Sequence, residues 1–368
     1  QAQDRPDMKW PAERKFVRHS GTDPIIPTKE PEWLRHNGLG GFRPDGQEYV
    51  IRLEKGMNTP TPWVNVIANP TFGFLVSESG SGYTWSENSR ENKLTPWSND
   101  AVADPPGEVL YIGDAESGAL WGATALPIRE EEPYLVRHGF GYSVFEHNSH
   151  GIEQWMTQHV PVDASVKVTL LGLRNVSNRR RHLTLTYYLR PVLGVSDQVT
   201  APHVRTSLCP SGCLLMQNSW QEDFAGTVCF LESSVTTRSV TGDRKEFFGN
   251  GDIRSPECMK RERLSGRVGA GFDPCGAMQV HVTLEPNERR EIVFLLGTGR
   301  SAEEAENLAA SYRTVEKARA SLARVKAFWK GKMNVIRVKT PGAAMNLMMD
   351  GWLAYQVISC RLWARSGF

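Results

Sequence analysis

The sequence predicts a mainly β protein, an antiparallel sandwich that gives way to helices near its end. Two observations carry this. Between about residues 48 and 298, strand-like runs rich in β-branched and aromatic residues follow one another, separated by Gly, Pro, Asn and Asp turns with no helical period between them. At about residue 300 the apolar spacing changes from two to three and four, the spacing of one helix face.

Residues 1–37 are polar and carry Pro24, Pro27 and Pro31, the composition of an irregular arm. Glycines 38, 40 and 41 serve turns before the strand Glu48-Tyr49-Val50-Ile51-Arg52-Leu53; a phosphate-cradling loop would need a helix to follow. Val166, Val168 and Leu170 alternate with Lys167 and Thr169, and Met278, Val280, Val282 and Leu284 alternate with Gln279, His281 and Thr283. This period of two predicts strands with one buried and one wet face. Leu183–Leu189 reads as a further strand, which makes Arg179-Arg180-Arg181 a charged hairpin turn, and Glu285-Pro286-Asn287-Glu288 predicts a second hairpin into Glu291–Leu296. Ser301 with Glu304 forms a capping box, followed by Ala305, Leu308, Ala309 and Tyr312 at helical spacing. Leu322, Val325, Phe328 and Trp329 mark a second helix. Thr340-Pro341 predicts a third, with the hydroxyl as N-cap and proline at the first position, and its apolar residues cover more than one face.

Lys and Arg number 43 against 41 Asp and Glu, a net charge of +2, and the basic residues are scattered; that excludes a nucleic-acid footprint, which needs clustered positive charge. The six cysteines make no tight framework and read as reduced thiols of a cytoplasmic protein. Cys209 and Cys213 lack a second Cys or His pair at ligand spacing, so no metal is assigned. No apolar run reaches the ~18 residues of a membrane span.

The densest chemistry lies in residues 82–100, Gly-Tyr-Thr-Trp-Ser-Glu-Asn-Ser-Arg-Glu-Asn-Lys-Leu-Thr-Pro-Trp-Ser-Asn-Asp. A pyranose offers an apolar C–H face for Trp or Tyr and hydroxyls for Asn, Asp, Glu and Arg, so this mixture suits a sugar. It equally suits a long loop pinned by two buried tryptophans. Glu87, Glu91, Asp100, Asp104 and Glu108 are candidate carboxylates, but spacing in a loop fixes no geometry and none is assigned as an acid. His138 and His147 are candidate bases whose plainer reading is structural.

Several motifs occur together and in order: Asn37-Gly-Leu-Gly-Gly-Phe42, Asp45-Gly-x-Glu-Tyr-Val-Ile51, Thr61-Pro-Trp-x-Asn-Val-Ile-Ala-Asn69, the 82–100 segment and Arg137-His-Gly-x-Gly-Tyr142. They resemble the N-terminal part of the inverting glycoside phosphorylases, the family of cellobiose and chitobiose phosphorylases. Leu94–Asp100 and Gly269–Cys275 look closest to the phosphorylase-like C-terminal region of cyclic β-1,2-glucan synthases. The resemblance implies an antiparallel β-supersandwich of the galactose mutarotase type over residues 38–298, a helical linker over 299–338, and at 339–368 the first helix of an (α/α)6 catalytic barrel.

In that family a carboxylic acid in the barrel protonates the glycosidic oxygen while inorganic phosphate attacks the anomeric carbon from the opposite face, so no general base is needed. Arg365 and Ser366 match a pair that helps to hold phosphate, for which the planar guanidinium fork is suited. Trp85, Asn88, Arg90, Trp97 and Asn99 are then expected to line the acceptor side of the sugar cleft. The acid is expected beyond Phe368, which makes this chain an inactive piece of a larger transferase on β-linked glucosides, β-1,2-glucan among them. The implied partners are an oligo- or polysaccharide, phosphate or a sugar 1-phosphate, and the rest of the barrel. No cofactor and no nucleic acid are implied, a homodimer is left open, and the cytoplasmic part of a membrane-bound synthase is one setting. The alternative is a stand-alone carbohydrate-binding or interaction sandwich. A mutarotase-like epimerase would need His138 to face Glu146 or Glu153.

Overall fold

The computed structural model describes residues 10–17, 23–28 and 30–364; Arg365 and Ser366 lie outside the described residues. In chain order the strands are β1 (Gly40–Phe42), β2 (Glu48–Leu53), β3 (Val64–Ala68), β4 (Phe72–Ser77), β5 (Gly82–Ser86), β6 (Glu108–Asp114), β7 (Leu120–Gly122), β8 (Tyr134–Gly139) and β9 (Tyr142–Ser149). They continue as β10 (Ile152–His159), β11 (Val166–Asn175), β12 (Arg181–Leu189), β13 (Val204–Leu208), β14 (Leu214–Asn218), β15 (Val228–Ser233), β16 (Arg238–Asp243), β17 (Pro274–Leu284) and β18 (Arg289–Gly299). Ten form one antiparallel sheet in the order β1-β2-β8-β9-β10-β11-β18-β15-β14-β13. Five form a second, β16-β17-β12-β6-β7, and β3-β4-β5 form a third. The main core lies where the sheets face one another and includes Phe74, Ile112, Phe145, Leu171, Leu185, Val280 and Phe294. Each such side chain, fully withdrawn from water, contributes about 1.5–3 kcal/mol.

Three sequence expectations are corrected by this arrangement. The turn after Leu284 is not a hairpin: β17 pairs with β12 and β16, whereas β18 pairs with β11 and β15 in the other sheet. The connection 176–180 crosses between the sheets in the same way, from β11 to β12. The two arches lie side by side, with Asn287 N–H donating to Asn175 O at 2.8 Å and Asn175 N–H to Glu288 O at 3.0 Å. Two of the three arginines accordingly do not form a solvated turn, while Arg180 stays exposed beside Glu285. Arg181 is buried against Asp114 at 2.6 Å, and Arg179 reaches Asp23, Asp114 and Glu116.

The third correction concerns the wet faces. Val166, Val168 and Leu170 pack outward under the helices, in a cluster with Ala305, Ala309 and Ala318. The alternate residues Lys167 and Thr169 are buried too, as is Gln279 of β17. Both faces of β11 are covered, so polar residues point into the sandwich. There Lys167 Nζ lies 3.0 Å from Glu108 Oε2 and 4.2 Å from the centre of the Phe74 ring. Glu108 also accepts from Tyr187 Oη (2.7 Å), Thr84 Oγ1 (2.5 Å) and Thr95 Oγ1 (2.8 Å). A buried ion pair survives only with such complete bonding.

The helix Ala302–Tyr312 starts as its capping box predicts: Glu304 N–H donates to Ser301 Oγ at 3.1 Å, while the Glu304 carboxylate reaches back one residue further, to Arg300 N–H at 2.9 Å. The helix Val315–Met333 buries Ala318, Ser321, Val325, Trp329 and Met333. The last helix begins at Ala343, not at Pro341, because Gly342 takes the capping conformation and Thr340 is bonded to the Asn346 side chain. It continues through two π-helical stretches, Met348–Trp352 and Val357–Trp363. Trp352 and Tyr355 anchor it: Trp352 Nε1–H donates to Gly46 O at 2.8 Å, and the Tyr355 hydroxyl sits 2.8 Å from Val66 O and 2.9 Å from Asn65 Oδ1. Its other side exposes Met345, Leu353, Val357 and Leu362. Among the described residues no helix is long and apolar enough to cross a membrane.

Candidate functional site

The 82–100 segment leaves the three-stranded sheet through β5 and folds back beside it, Lys93 bridging both Trp85 and Gly194. Its backbone is held at both ends. Leu94 N–H donates to Thr84 O (2.8 Å), Lys93 and Gly194 exchange N–H···O bonds of 3.0 Å, and Gln221 Nε2 donates to Glu91 O (2.8 Å). Within it the Asn88 side-chain Oδ1 accepts from Arg90 and Glu91 N–H, both at 2.9 Å, and so shapes the turn. Arg90 is exposed beside Glu91 at 3.3 Å, and Asn99 is exposed with φ 52°, left-handed backbone that asparagine tolerates.

The two tryptophans part company. Trp85 is only 2% exposed and packs with Tyr83 and Ala68, its ring lying on Gly73 of the neighbouring strand, where any Cβ would come within 2.4 Å of it. A ring so enclosed has no face for a sugar, which corrects its assignment to the cleft. Trp97 is 43% exposed and stacks on Tyr83, with ring centres 5.1 Å apart and planes 10° from parallel. Burial pushes the Tyr83 hydroxyl up to about 12, so the phenol stays neutral behind the indole.

Beside Trp97 a groove of about 870 Å³ is lined by Ser98, Tyr188, Phe248 and two ion pairs, Arg190–Asp197 at 2.7 Å and Arg244–Asp273 at 2.9 Å. That lies within the roughly 300–1,000 Å³ of ligand sites, with aromatic faces and charged forks together. Sequence reasoning missed Tyr188, Arg190, Phe248 and Arg244, because only sheet pairing brings them to the 96–98 turn. A second exposed indole, Trp220, stacks on His203 at 4.8 Å and 9°.

Three of the five candidate carboxylates are committed elsewhere. Asp100 caps Ala103 and Val102 N–H, and these bonds hold its carboxyl below the usual range. Asp104 accepts from Ser77 Oγ at 2.6 Å and is raised by burial. Glu108 is the buried partner of Lys167. His138 is bonded to Ser143 Oγ (2.8 Å) and faces Trp63 O (3.3 Å), while Glu146 pairs with Arg137 and Glu153 with Arg174, so the epimerase pairing is not formed. Burial pushes the His138 imidazole down to about 4.

One contact ties this segment to the end of the last helix. Ser89 Oγ donates to Ala364 O at 2.6 Å, and Trp363 and Ala364 pack on the Tyr83–Trp85 cluster. Ala364 is the residue before Arg365.

Stacked antiparallel sheets with helices along one face define a β-supersandwich. Residues 47–315 match the glycosyl hydrolase 94 supersandwich domain and residues 328–368 the catalytic domain of the same superfamily, and the chain belongs to the glycosyl hydrolase 94 family. It is similar to the cyclic beta-(1,2)-glucan synthase NdvB of Rhizobium meliloti (strain 1021), with 37% identity over 336 residues, 90% of this chain and 12% of that protein. It is also similar to the N,N'-diacetylchitobiose phosphorylase of Vibrio proteolyticus, with 27% identity over 89% of this chain and 41% of that one. The 3-O-beta-D-glucopyranosyl-beta-D-glucuronide phosphorylase of Paenibacillus borealis is 26% identical over 88% and 41% respectively. The chain thus spans less than half the length of these curated relatives.

Proposed function

We propose that the chain is the carbohydrate-facing portion of a glycoside phosphorylase or glucan-processing transferase acting on β-linked glucosides, β-1,2-glucan among them. The observation that carries this reading is the Ser89–Ala364 bond. It draws the 82–100 segment against the residue that precedes Arg365 and Ser366, the pair whose family counterpart helps to hold phosphate. In the intact protein Arg365 and Ser366 bind inorganic phosphate, which attacks the anomeric carbon while a barrel carboxylic acid protonates the leaving oxygen. Trp97 offers its indole face to the acceptor sugar, Arg90 and Asn99 present hydrogen-bonding groups beside it, and Asn88 holds the turn. The acid is supplied from outside this chain, which by itself turns over no substrate. The free thiols support a cytoplasmic setting.

The test is phosphorolysis by the intact protein of β-1,2-, β-1,3- and β-1,4-linked glucosides, read as sugar 1-phosphate. Silence across all three removes the proposal. The groove beside Trp97 is built wholly within this chain, which favours a second reading, glucan binding without turnover. Glucan titration of the 368-residue chain, paired with the same phosphorolysis assays, separates the two.

A further inference from the structure

Away from the sugar-facing edge, the segment leading into β8 and the β9–β10 hairpin bring three metal-binding side chains together. One ligand atom each of Glu130, Glu132 and His147 lies within 4.8 Å of the others. We propose that these residues form a binding site for a divalent first-row transition ion, of which Zn²⁺ is the probe.

The orientation of His147 is the first argument. The ring is fully buried and stacked on Tyr134, with centres 3.9 Å apart and planes 4° from parallel. Its Nδ1 lies 3.1 Å from Pro133 O, a carbonyl that can only accept, so Nδ1 carries the proton. Neutral imidazole then has its lone pair on Nε2. That atom faces Glu130 Oε2, another lone-pair bearer, at 3.1 Å. Two such atoms need a positive centre between them, a proton or a metal ion. A histidine whose far nitrogen donates to a carbonyl is the usual arrangement of a metal-binding imidazole.

The Nε2–Oε2 distance agrees. Ligand atoms about 2.1 Å from one ion are about 3.0 Å apart at a right angle and about 3.4 Å apart at the tetrahedral angle. The observed 3.1 Å falls between these values. Glu130 is oriented from its other side, since His150 Nε2 lies 2.6 Å from Oε1 and leaves Oε2 for the ion. Glu132, part-exposed at the mouth, makes no hydrogen bond or ion pair among the described residues and completes the set.

Ser149 faces the same carboxylate. It is 3% exposed, and its hydroxyl lies near enough to Glu130 to help hold that carboxyl down, yet it reaches no partner at hydrogen-bonding geometry. Buried hydroxyls are rarely left so. Arg181, whose charge also reaches His150, is already neutralised by Asp114 and Asp23. A nitrogen with two carboxylates suits Zn²⁺ or Mn²⁺ better than Ca²⁺, which takes oxygen ligands alone. The ion would clip the 130–133 segment to the β9–β10 hairpin.

Equilibrium dialysis of the chelator-treated 368-residue chain against Zn²⁺ tests this, with Co²⁺ absorption as the report of an imidazole–carboxylate environment. We expect one ion per chain, a rise of several degrees in thermal midpoint, and at least a tenfold loss of affinity in Glu132→Gln. His150→Gln, which removes the orienting bond together with the ring's contact on Trp121, should lose about 10–100-fold. His147→Gln abolishes binding if it folds; if it does not, Glu132→Gln decides. No stoichiometric ion in the wild type, or equal affinity in Glu132→Gln, overturns the site and leaves the His147–Glu130 contact as a hydrogen bond.

Discussion

Trp97 lies between β5 and β6, Glu108 opens β6, and the two meet opposite fates. Glu108 lies inside the sandwich, bonded to Lys167, Tyr187, Thr84 and Thr95. Trp97, which a hydropathy argument would bury, stacks on Tyr83 and turns its other side to the groove. The contrast teaches that polarity along this chain does not report exposure. A charge goes inside when four partners await it, and an indole stays out when a flat ring supports it from behind.

Lys167→Met gives the largest break in this comparison. It leaves Glu108 buried with its charge unmatched, and urea unfolding should show a loss of about 3–5 kcal/mol. Adding Glu108→Gln should restore much of it; a double variant no better than the single would show that packing, not charge, is at stake.

The tryptophans test the other half. Trp85→Ala should cost about 3–5 kcal/mol through the cavity it leaves over Gly73. Trp97→Ala should change stability by at most about 1 kcal/mol, because nearly half the ring is already in water. In the intact protein that same variant should raise the acceptor KM. If Trp97→Ala destabilises as much as Trp85→Ala, the open edge is structural.

Acid should attack the interior before the edge. His138 has its pKa depressed to about 4 by burial, against 6.5 in the unfolded chain, so the unfolded state takes up the proton first. Stability should therefore fall as pH drops from about 6.5 to about 4, by roughly 3 kcal/mol at 1.36 kcal/mol per unit. Glu108 runs in a lower window. Its pKa is lowered because the Lys167 charge and the hydroxyls outweigh desolvation, so its contribution is present above the unfolded value of 4.5 and is lost only below it. Urea midpoints at pH 7, 5 and 4 in wild type and His138→Gln should show a flatter profile in the variant. The smallest effect is Ser301→Ala, about 1 kcal/mol from the lost cap and visible in the thermal midpoint.

How far the sequence could be read follows from the range of the interaction involved. The strand Glu48–Leu53 and the capping box at Ser301 were legible because period and caps are local. The two arches were not, since a turn such as Glu285–Glu288 looks the same whether the next strand pairs beside the last or crosses to the opposite sheet. Lys167 and Thr169 looked wet because alternation marks two faces without saying what covers each. Of the site, the chemistry of residues 82–100 was legible. The division between Trp85 and Trp97, and the meeting of Trp97 with Arg190 and Arg244, were not.

The amino-acid sequence by itself determined the mainly antiparallel β class, the change to helices near residue 300 and the family, because backbone period, capping and motif order are properties of short stretches. Tertiary structure alone decided which polar residues turn inward, which tryptophan keeps an open face, and that Ser89 meets Ala364 from 275 residues away. Those outcomes depend on what lies across the sheet from each side chain, and no local pattern encodes that.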